Sequence, residues 1–121
     1  MICVIDYGMG NLRSVSKALE KMGGEVVVSS QLSDLNRADK MILPGVGAFG
    51  DACRELQRRG LFEATRSFIL KKKPFLGICL GLQLLFEESE ESPGQRGLGV
   101  FRGKVRKFQS TNVKIPHMGW N

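Results

Sequence analysis

The chain of 121 residues carries a formal net charge of +6, with 42% hydrophobic and 25% charged residues. This composition is typical of one folded domain over residues 1–121 and argues against disorder. The basic residues are scattered, without the interleaved aromatic rings that nucleic-acid bases stack on. We therefore expect a solvated surface or a partner-facing patch, and no nucleic-acid partner. A phosphorylated substrate or an acidic partner subunit is the remaining alternative for this charge.

Three cysteines, an odd number without Cys-x-x-Cys spacing, predict neither a disulfide framework nor a zinc site. Unpaired cysteines fit a reducing compartment. The N-terminus lacks the charged region and cleavage site of a signal peptide, and no apolar run approaches the roughly 20 residues that span a bilayer. We therefore expect a cytoplasmic protein with no membrane partner and no metal.

Short apolar runs alternate with amphipathic stretches along the chain. The predicted strands are 2–6, 25–29, 40–43 and 75–78. The predicted helices are 11–22, 51–59, 61–70 and 80–88, and the polar stretch 31–39 has room for one short turn of helix. On the first helix, one apolar face combines Leu12, Val15, Ala18, Leu19 and Met22. The alternation predicts right-handed βαβ units and an α/β fold, with a three-layer, open and mostly parallel sheet.

The pattern changes after Ser89. Residues 90–94 form a turn-rich segment, and residues 97–108 alternate loosely between apolar and polar, which predicts an antiparallel strand. A further strand is predicted at 113–115.

Glycines stand two residues on either side of Cys79, at the junction of a predicted strand and a predicted helix. This is the spacing of a nucleophile elbow, with cysteine in place of serine. The start of a helix favours the thiolate form of a cysteine, and the backbone N–H of Leu80 is placed as one oxyanion donor. The alternative is a buried cysteine that packs as a small hydrophobic side chain. The two flanking glycines favour a catalytic thiol.

Two further loops follow predicted strands at the same edge of the sheet. Residues 6–11 begin like a dinucleotide-binding loop, but Arg13 stands where the third glycine is needed. We therefore expect no nucleotide cofactor, and a tight turn after which Asn11 caps the helix. Residues 44–47, Pro-Gly-Val-Gly, either direct a second N–H at an oxyanion or form an ordinary turn.

Gln83 lies one helical turn beyond Cys79, where its amide either reaches the same cleft or faces solvent. The acidic run 87–91 is predicted to be a solvated face. A cysteine nucleophile of this type needs a histidine base and an orienting carboxylate. The only histidine, His117, is a candidate base without local support.

Four segments together resemble one family: residues 6–11, 44–50, 77–87 and 116–121, the last reading Pro-His-Met-Gly-Trp-Asn. They are similar to the glutamine amidotransferase subunit of imidazole glycerol phosphate synthase, a class I, triad-type amidotransferase of histidine biosynthesis. The cysteine elbow alone resembles only the broad group of class I amidotransferases. The first and last segments narrow the resemblance to this one subunit. The resemblance covers the whole chain and implies a flavodoxin-like fold.

The resemblance implies that Cys79 attacks the side-chain carboxamide of glutamine. The backbone amides of Leu80 and Val46 hold the oxyanion, ammonia leaves, and water releases glutamate from the thioester. A (β/α)8-barrel cyclase subunit then uses the ammonia to make imidazole glycerol phosphate, and no cofactor is needed. The positions that match family contacts to glutamine are Gly45, Gly47 and Gln83. The positions that match segments facing the partner are Asn11, His117, Met118 and Trp120, so the resemblance places His117 at the interface.

The family carries its catalytic histidine and glutamate in a His-Pro-Glu motif, which residues 1–121 do not contain. The resemblance therefore implies an N-terminal portion, incomplete at its C-terminal end, of a domain of roughly 200 residues. We expect glutaminase activity from the intact protein and negligible turnover from residues 1–121 alone. One alternative is a catalytically inert module that binds the partner. Another is a redox-sensing or hydrolytic cysteine protein on the same elbow, which leaves the last segment unexplained.

Overall fold

The computed structural model describes residues 1–106, in which short strands alternate with helices. In chain order the elements are β1 Ile2–Ile5, α1 Leu12–Lys21, β2 Val26–Ser29, α2 Leu32–Arg37, β3 Lys40–Leu43, α3 Phe49–Arg58, α4 Phe62–Leu70, β4 Phe75–Gly77, α5 Leu80–Gln83, β5 Glu88–Ser89 and β6 Lys104–Val105. The stretch 31–39, for which the sequence left a short helix open, contains α2.

Four of the strands form one parallel sheet in the order β2-β1-β3-β4. Strand β1 pairs with β2 on one side and with β3 on the other, and β4 extends the sheet beyond β3. Because every strand runs the same way, the loops that follow β1, β3 and β4 all lie at one edge. The predicted α/β fold with a parallel sheet is confirmed.

Helices lie on both faces of this sheet. Alternate residues of a strand point to opposite faces, and Cys3, Ile5, Met41 and Leu43 are buried in a core shared with α2, α3 and α4. On the opposite face α1 packs against β1 and β2, where its Leu19 lies beside the strand residues of that face. This is the three-layer arrangement expected from the alternation of elements.

Helix α1 spans Leu12–Lys21, one residue shorter at each end than predicted, and ends two residues before Gly23. The side chain of Asn11 accepts a hydrogen bond from the Ser14 N–H at 3.2 Å, which is an N-cap interaction. Leu12, Val15 and Leu19 are partly buried, as their shared face requires. The predicted extension of that face was wrong at its end, because Met22 is the C-cap residue and is 85% exposed. Ala18 is also exposed.

The predicted helix 80–88 is wrong in length, because α5 ends at Gln83. The carbonyl groups that would continue the helix accept hydrogen bonds from a later segment of the chain. The Leu98 N–H donates to the Leu84 carbonyl at 2.7 Å, and the Phe101 N–H donates to the Leu85 carbonyl at 3.0 Å. A helix cannot extend through carbonyls that accept hydrogen bonds from a distant segment of the chain.

The antiparallel strand predicted over 97–108 is also not observed within the described residues. Its first part supplies the donors that end α5, and Gly97 is required there because a Cβ would overlap the Phe86 carbonyl oxygen. Only Lys104–Val105 pairs as a strand, and it pairs with β5 in parallel rather than antiparallel. Residues 107 and 108 and the predicted strand at 113–115 lie outside the described residues.

Neighbouring strands β3 and β4 offer a matched test of this core. Leu43 is fully buried, whereas Leu76 is 54% exposed. We expect Leu43→Ala to lower the free energy of unfolding by about 2–5 kcal/mol, because it leaves a cavity in a packed core. Leu76→Ala should cost less than about 1 kcal/mol, since a half-exposed side chain loses less buried area. Denaturant titration of both variants measures the difference, and equal losses would mean that Leu76 is covered in the folded protein.

Within residues 1–106, no helix combines the length and the apolar character that crossing a membrane requires.

Candidate active site

Cys79 occupies a strained turn between β4 and α5. Its backbone has φ 53° and ψ −115°, and Cys79 is one of only two non-glycine residues with positive φ among residues 1–106. Such a conformation costs an L-residue about 1–3 kcal/mol and persists only where the surroundings impose it. The side chain is exposed at the C-terminal edge of the sheet. The strand, the sharp turn and the following helix that the spacing predicted are all present.

The two glycines of the elbow are required by close backbone contacts. A Cβ at Gly77 would lie 2.7 Å from the Gly81 carbonyl oxygen. A Cβ at Gly81 would overlap the Leu43 carbonyl oxygen of the neighbouring strand. The helix that follows Cys79 can therefore approach β3 and β4 closely only because both positions lack side chains.

The loop 44–47 lies directly against the elbow. The Ile78 N–H donates to the Leu43 carbonyl at 3.0 Å, and the Leu80 N–H donates to the Gly45 carbonyl at 3.2 Å. Within the loop Gly45 is buried, whereas Val46 is 62% exposed and Gly47 adopts φ 116°. The structure thus brings together the cysteine and the glycine-rich loop that the sequence placed at the same edge.

The backbone amide predicted to be an oxyanion donor already has an acceptor in this structure. Because the Leu80 N–H donates to Gly45, it can bind a substrate oxygen only by exchanging that bond. The Leu80 side chain is buried and does not reach the solvent side of the site.

Gln83, at the end of α5, lies beside an open cavity. The cavity has a volume of about 170 Å³, and its lining residues are Gln83, Ser89, Glu90, Glu91, Val105 and Arg106. Its charged lining residues are two glutamates and one arginine. The lining of this cavity does not include Cys79 or the loop 44–47, so the placement of Gln83 in the cleft of Cys79 stays a prediction.

Part of the acidic run has structural partners, which the prediction of a solvated face missed. The Glu91 carboxylate accepts a hydrogen bond from the Phe49 N–H at 3.1 Å, and the Ser92 hydroxyl oxygen accepts one from the Gly50 N–H at 2.8 Å. Glu87 accepts from the Gly103 N–H at 3.0 Å. Residues 91–92 thus cap α3 from a distant loop, which no local pattern indicates.

The loop after β1 is the tight turn that the sequence predicted. The Asp6 carboxylate accepts a hydrogen bond from the Gly8 N–H at 3.2 Å, and Gly8 has φ 83°. Asn11 caps α1 and is exposed, so it is accessible at the surface. The remaining residues that the resemblance places at a partner interface, His117, Met118 and Trp120, lie outside the described residues.

The other two cysteines differ from Cys79 in environment. Burial raises the pKa of Cys3 to about 11, with a smaller contribution from the charge of Asp34. Burial also raises the pKa of Cys53 to about 11. Both thiols therefore stay protonated near neutral pH and are poor nucleophiles. Exposure distinguishes Cys79 from both.

This difference predicts selective alkylation. Iodoacetamide at pH 8 should modify Cys79 of the folded protein at least about tenfold faster than Cys3 or Cys53, because the reagent can reach only Cys79 and burial keeps the other two thiols protonated. Peptide mass mapping over time measures the three rates. Unfolding in denaturant should remove the difference, which serves as the control. Comparable rates in the folded protein would contradict the burial described here.

Among residues 1–106, no group of three or more histidine, cysteine, aspartate or glutamate side chains is arranged to hold a metal ion.

Residues 3–121 match the family described as Glutamine amidotransferase class-I. The chain belongs to this family, in agreement with the parallel sheet and with the cysteine elbow at its edge. Within the family it is similar to proteins named "Imidazole glycerol phosphate synthase subunit HisH". The resemblance stated from the four sequence segments is confirmed by these matches.

Three of these relatives illustrate the similarity. The protein of Aquifex aeolicus is 60% identical over 119 residues, covering 98% of this chain and 57% of its own length. Those of Rhodopirellula baltica and Sulfurimonas denitrificans are 53% and 52% identical, each covering all of this chain and 60% of its own length. The chain thus spans about three fifths of the length of the relatives it matches.

Two solved structures share the fold. A structure described as glutamine amidotransferase superposes with a TM-score of 0.74 at 22% identity, covering 88% of this chain and 56% of that chain. A putative peptidase E from Listeria monocytogenes superposes with a TM-score of 0.56 at 19% identity, covering 71% of this chain and 49% of that chain.

Proposed function

We propose that the intact protein is a glutaminase that hydrolyses glutamine to glutamate and ammonia, with Cys79 as its nucleophile. The observation that carries this proposal is an exposed cysteine with φ 53° at a strand-to-helix turn, followed by a residue whose N–H is hydrogen-bonded to a glycine-rich loop. A nucleophile held at such a turn projects from the backbone, and the amides around it can stabilise an anion. The family supplies the substrate class.

In the proposed reaction the Cys79 thiolate attacks the side-chain carboxamide carbon of glutamine. A carbon–sulfur bond forms, and the carbonyl oxygen becomes an oxyanion held by the amides of Leu80 and Val46. The carbon–nitrogen bond then breaks as the leaving nitrogen takes a proton, so ammonia departs and a thioester remains. Water hydrolyses this thioester to glutamate and restores the thiol. The proton transfers need a base, and residues 1–106 contain no histidine.

Substrate contacts are proposed for the loop and for α5. Gly45 and Gly47 flank the amide of Val46, so that backbone at this point can approach a ligand closely. Gln83 lies one helical turn beyond Cys79, from where its side-chain amide is proposed to contact the amino-acid end of glutamine.

A partner subunit is proposed to receive the ammonia. The named relatives are subunits of imidazole glycerol phosphate synthase, and the sequence resemblance implies a (β/α)8-barrel cyclase in a heterodimer. Asn11 is exposed at the same edge of the sheet as Cys79, which supports its proposed place at that interface together with His117, Met118 and Trp120. A cytoplasmic location is part of this proposal.

A diazoketone analogue of glutamine tests the proposal, because its diazomethyl carbon stands in place of the carboxamide nitrogen and alkylates an attacking thiol with loss of dinitrogen. We expect it to label Cys79 of the full-length protein and to leave Cys3 and Cys53 unmodified, with glutamine slowing the labelling in proportion to its occupancy. Peptide mass mapping identifies the modified residue.

Labelling, combined with a partner-binding assay and peroxide treatment, separates the glutaminase from the two alternative functions. Binding of a synthase partner without labelling would support an inert binding module and overturn the glutaminase. Oxidation of Cys79 by peroxide, together with labelling that glutamine does not slow, would support a redox-sensing cysteine instead.

A further inference from the structure

Tyr7, the only tyrosine of the chain, joins the loop after β1 to the loop after β3. Its side chain is fully buried, and its hydroxyl donates a hydrogen bond to the Pro44 carbonyl oxygen at 2.6 Å. The two residues are 37 positions apart in sequence. Because a buried hydroxyl without a partner is costly, this bond strongly disfavours arrangements that separate the two loops.

The hydroxyl also lies against the residue that follows Pro44. A Cβ at Gly45 would overlap the Tyr7 hydroxyl oxygen and would come within 3.1 Å of the Leu80 Cβ. The Gly45 carbonyl in turn accepts the hydrogen bond from the Leu80 N–H at 3.2 Å. A short series of contacts therefore runs from the Tyr7 hydroxyl through Pro44 and Gly45 to the residue directly after Cys79.

The Tyr7 hydroxyl stays protonated, so it remains a hydrogen-bond donor to the Pro44 carbonyl. Burial raises the pKa of Tyr7 above its usual range, and the Cys53 thiol, once it ionises at high pH, contributes in the same direction. The hydroxyl therefore keeps its proton through the neutral range and continues to donate to Pro44. Asp6, which precedes it, forms its own hydrogen bond with the Gly8 N–H.

We propose that Tyr7 is a positioning residue for the reaction at Cys79: its hydroxyl holds the Pro44 carbonyl and thereby sets the orientation of the loop 44–47 against the elbow. The expected effect of Tyr7 on kcat rests on the proposed glutaminase function. Tyr7 itself is buried behind the loop and does not touch substrate. It acts through the backbone of Pro44 and Gly45.

Tyr7→Phe tests the inference, because it keeps the ring and removes only the hydroxyl. The matched control is Thr65→Val, which removes another fully buried hydroxyl that donates to a backbone carbonyl, that of Leu61, at 2.7 Å. Both variants are made in the full-length protein. Three quantities are measured: the hydrogen-exchange rate of the Leu80 amide relative to that of the Met41 amide of β3, and kcat and KM for glutamine.

For Tyr7→Phe we expect Leu80 exchange to accelerate about tenfold relative to Met41, the change that corresponds to one lost hydrogen bond. We expect kcat to rise about tenfold while KM changes less than about twofold, because a loosened Gly45 carbonyl releases the Leu80 N–H to the oxyanion, and oxyanion donors act mainly on the transition state. Thr65→Val should change neither the exchange ratio nor kcat. A Leu80 exchange ratio equal to that of the wild type would overturn the inference, as would an unchanged kcat.

Failure of the proposed function gives a different result from failure of this inference. If the wild-type protein does not turn over glutamine, the proposed function and the expected effect of Tyr7 on kcat are both wrong. The Leu80 exchange ratio still decides whether Tyr7 holds the loop 44–47. If Tyr7→Phe does not fold, 3-fluorotyrosine placed at position 7 keeps the ring and the hydroxyl. Its fluorine resonance is expected to shift when iodoacetamide modifies Cys79, and an unchanged resonance would refute the coupling.

Discussion

Cys79→Ala is expected to abolish glutamine hydrolysis while leaving the fold intact. The substitution removes the sulfur that forms the thioester, so kcat should fall by at least about 10⁴-fold, as when other covalent nucleophiles are removed. Because the side chain is exposed and has no packing role, the free energy of unfolding should change by less than about 1 kcal/mol. Glutamate release and denaturant unfolding, each measured on the purified full-length protein, give the two values.

A second cysteine provides the control for this experiment. Cys3 is fully buried in β1, so Cys3→Ala should lower stability by about 1 kcal/mol through lost packing and leave kcat within about threefold of the wild type. We thus expect Cys79→Ala to lose activity and keep its stability, and Cys3→Ala to lose stability and keep its activity. Glutaminase activity retained by Cys79→Ala would refute the assignment of the nucleophile.

Gly81→Ala is expected to lower the free energy of unfolding by at least about 3 kcal/mol, if the variant folds at all. On helix propensity alone, alanine would stabilise the helix relative to glycine by about 1 kcal/mol. A loss of stability would therefore indicate a steric clash. The added Cβ would overlap the Leu43 carbonyl oxygen. That oxygen cannot withdraw easily, since β3 is paired on both sides and the same carbonyl accepts the Ile78 N–H at 3.0 Å.

Gly23→Ala is the matched control for the close contact. Gly23 has φ 86° but no atom within 4 Å of an added Cβ, so its substitution tests backbone strain without steric overlap. We expect a cost of about 1 kcal/mol there. Denaturant titration of both variants measures the comparison. If Gly81→Ala costs no more than Gly23→Ala, the close packing of the elbow against β3 is wrong.

The elements that the sequence predicted well are those whose signals are local. The apolar runs that became β1, β3 and β4 predicted a parallel sheet, because buried strands alternate with amphipathic helices along the chain. The glycines around Cys79 indicated the turn, since only residues without a Cβ permit that approach of backbone to backbone. Asn11 was likewise recognisable as a helix cap from its place before an amphipathic run.

The sequence by itself therefore determined the fold class, the position of the elbow cysteine and the loop that lies beside it. Only the tertiary structure decided where α5 ends, because the carbonyls after Gln83 accept hydrogen bonds from N–H groups of residues 97–101. It also decided that Glu91 caps a distant helix and that the Tyr7 hydroxyl reaches Pro44. Hydrogen-bonding groups can satisfy one another across 37 or more positions, and their choice of partner depends on the assembled fold and leaves no periodic pattern in the sequence.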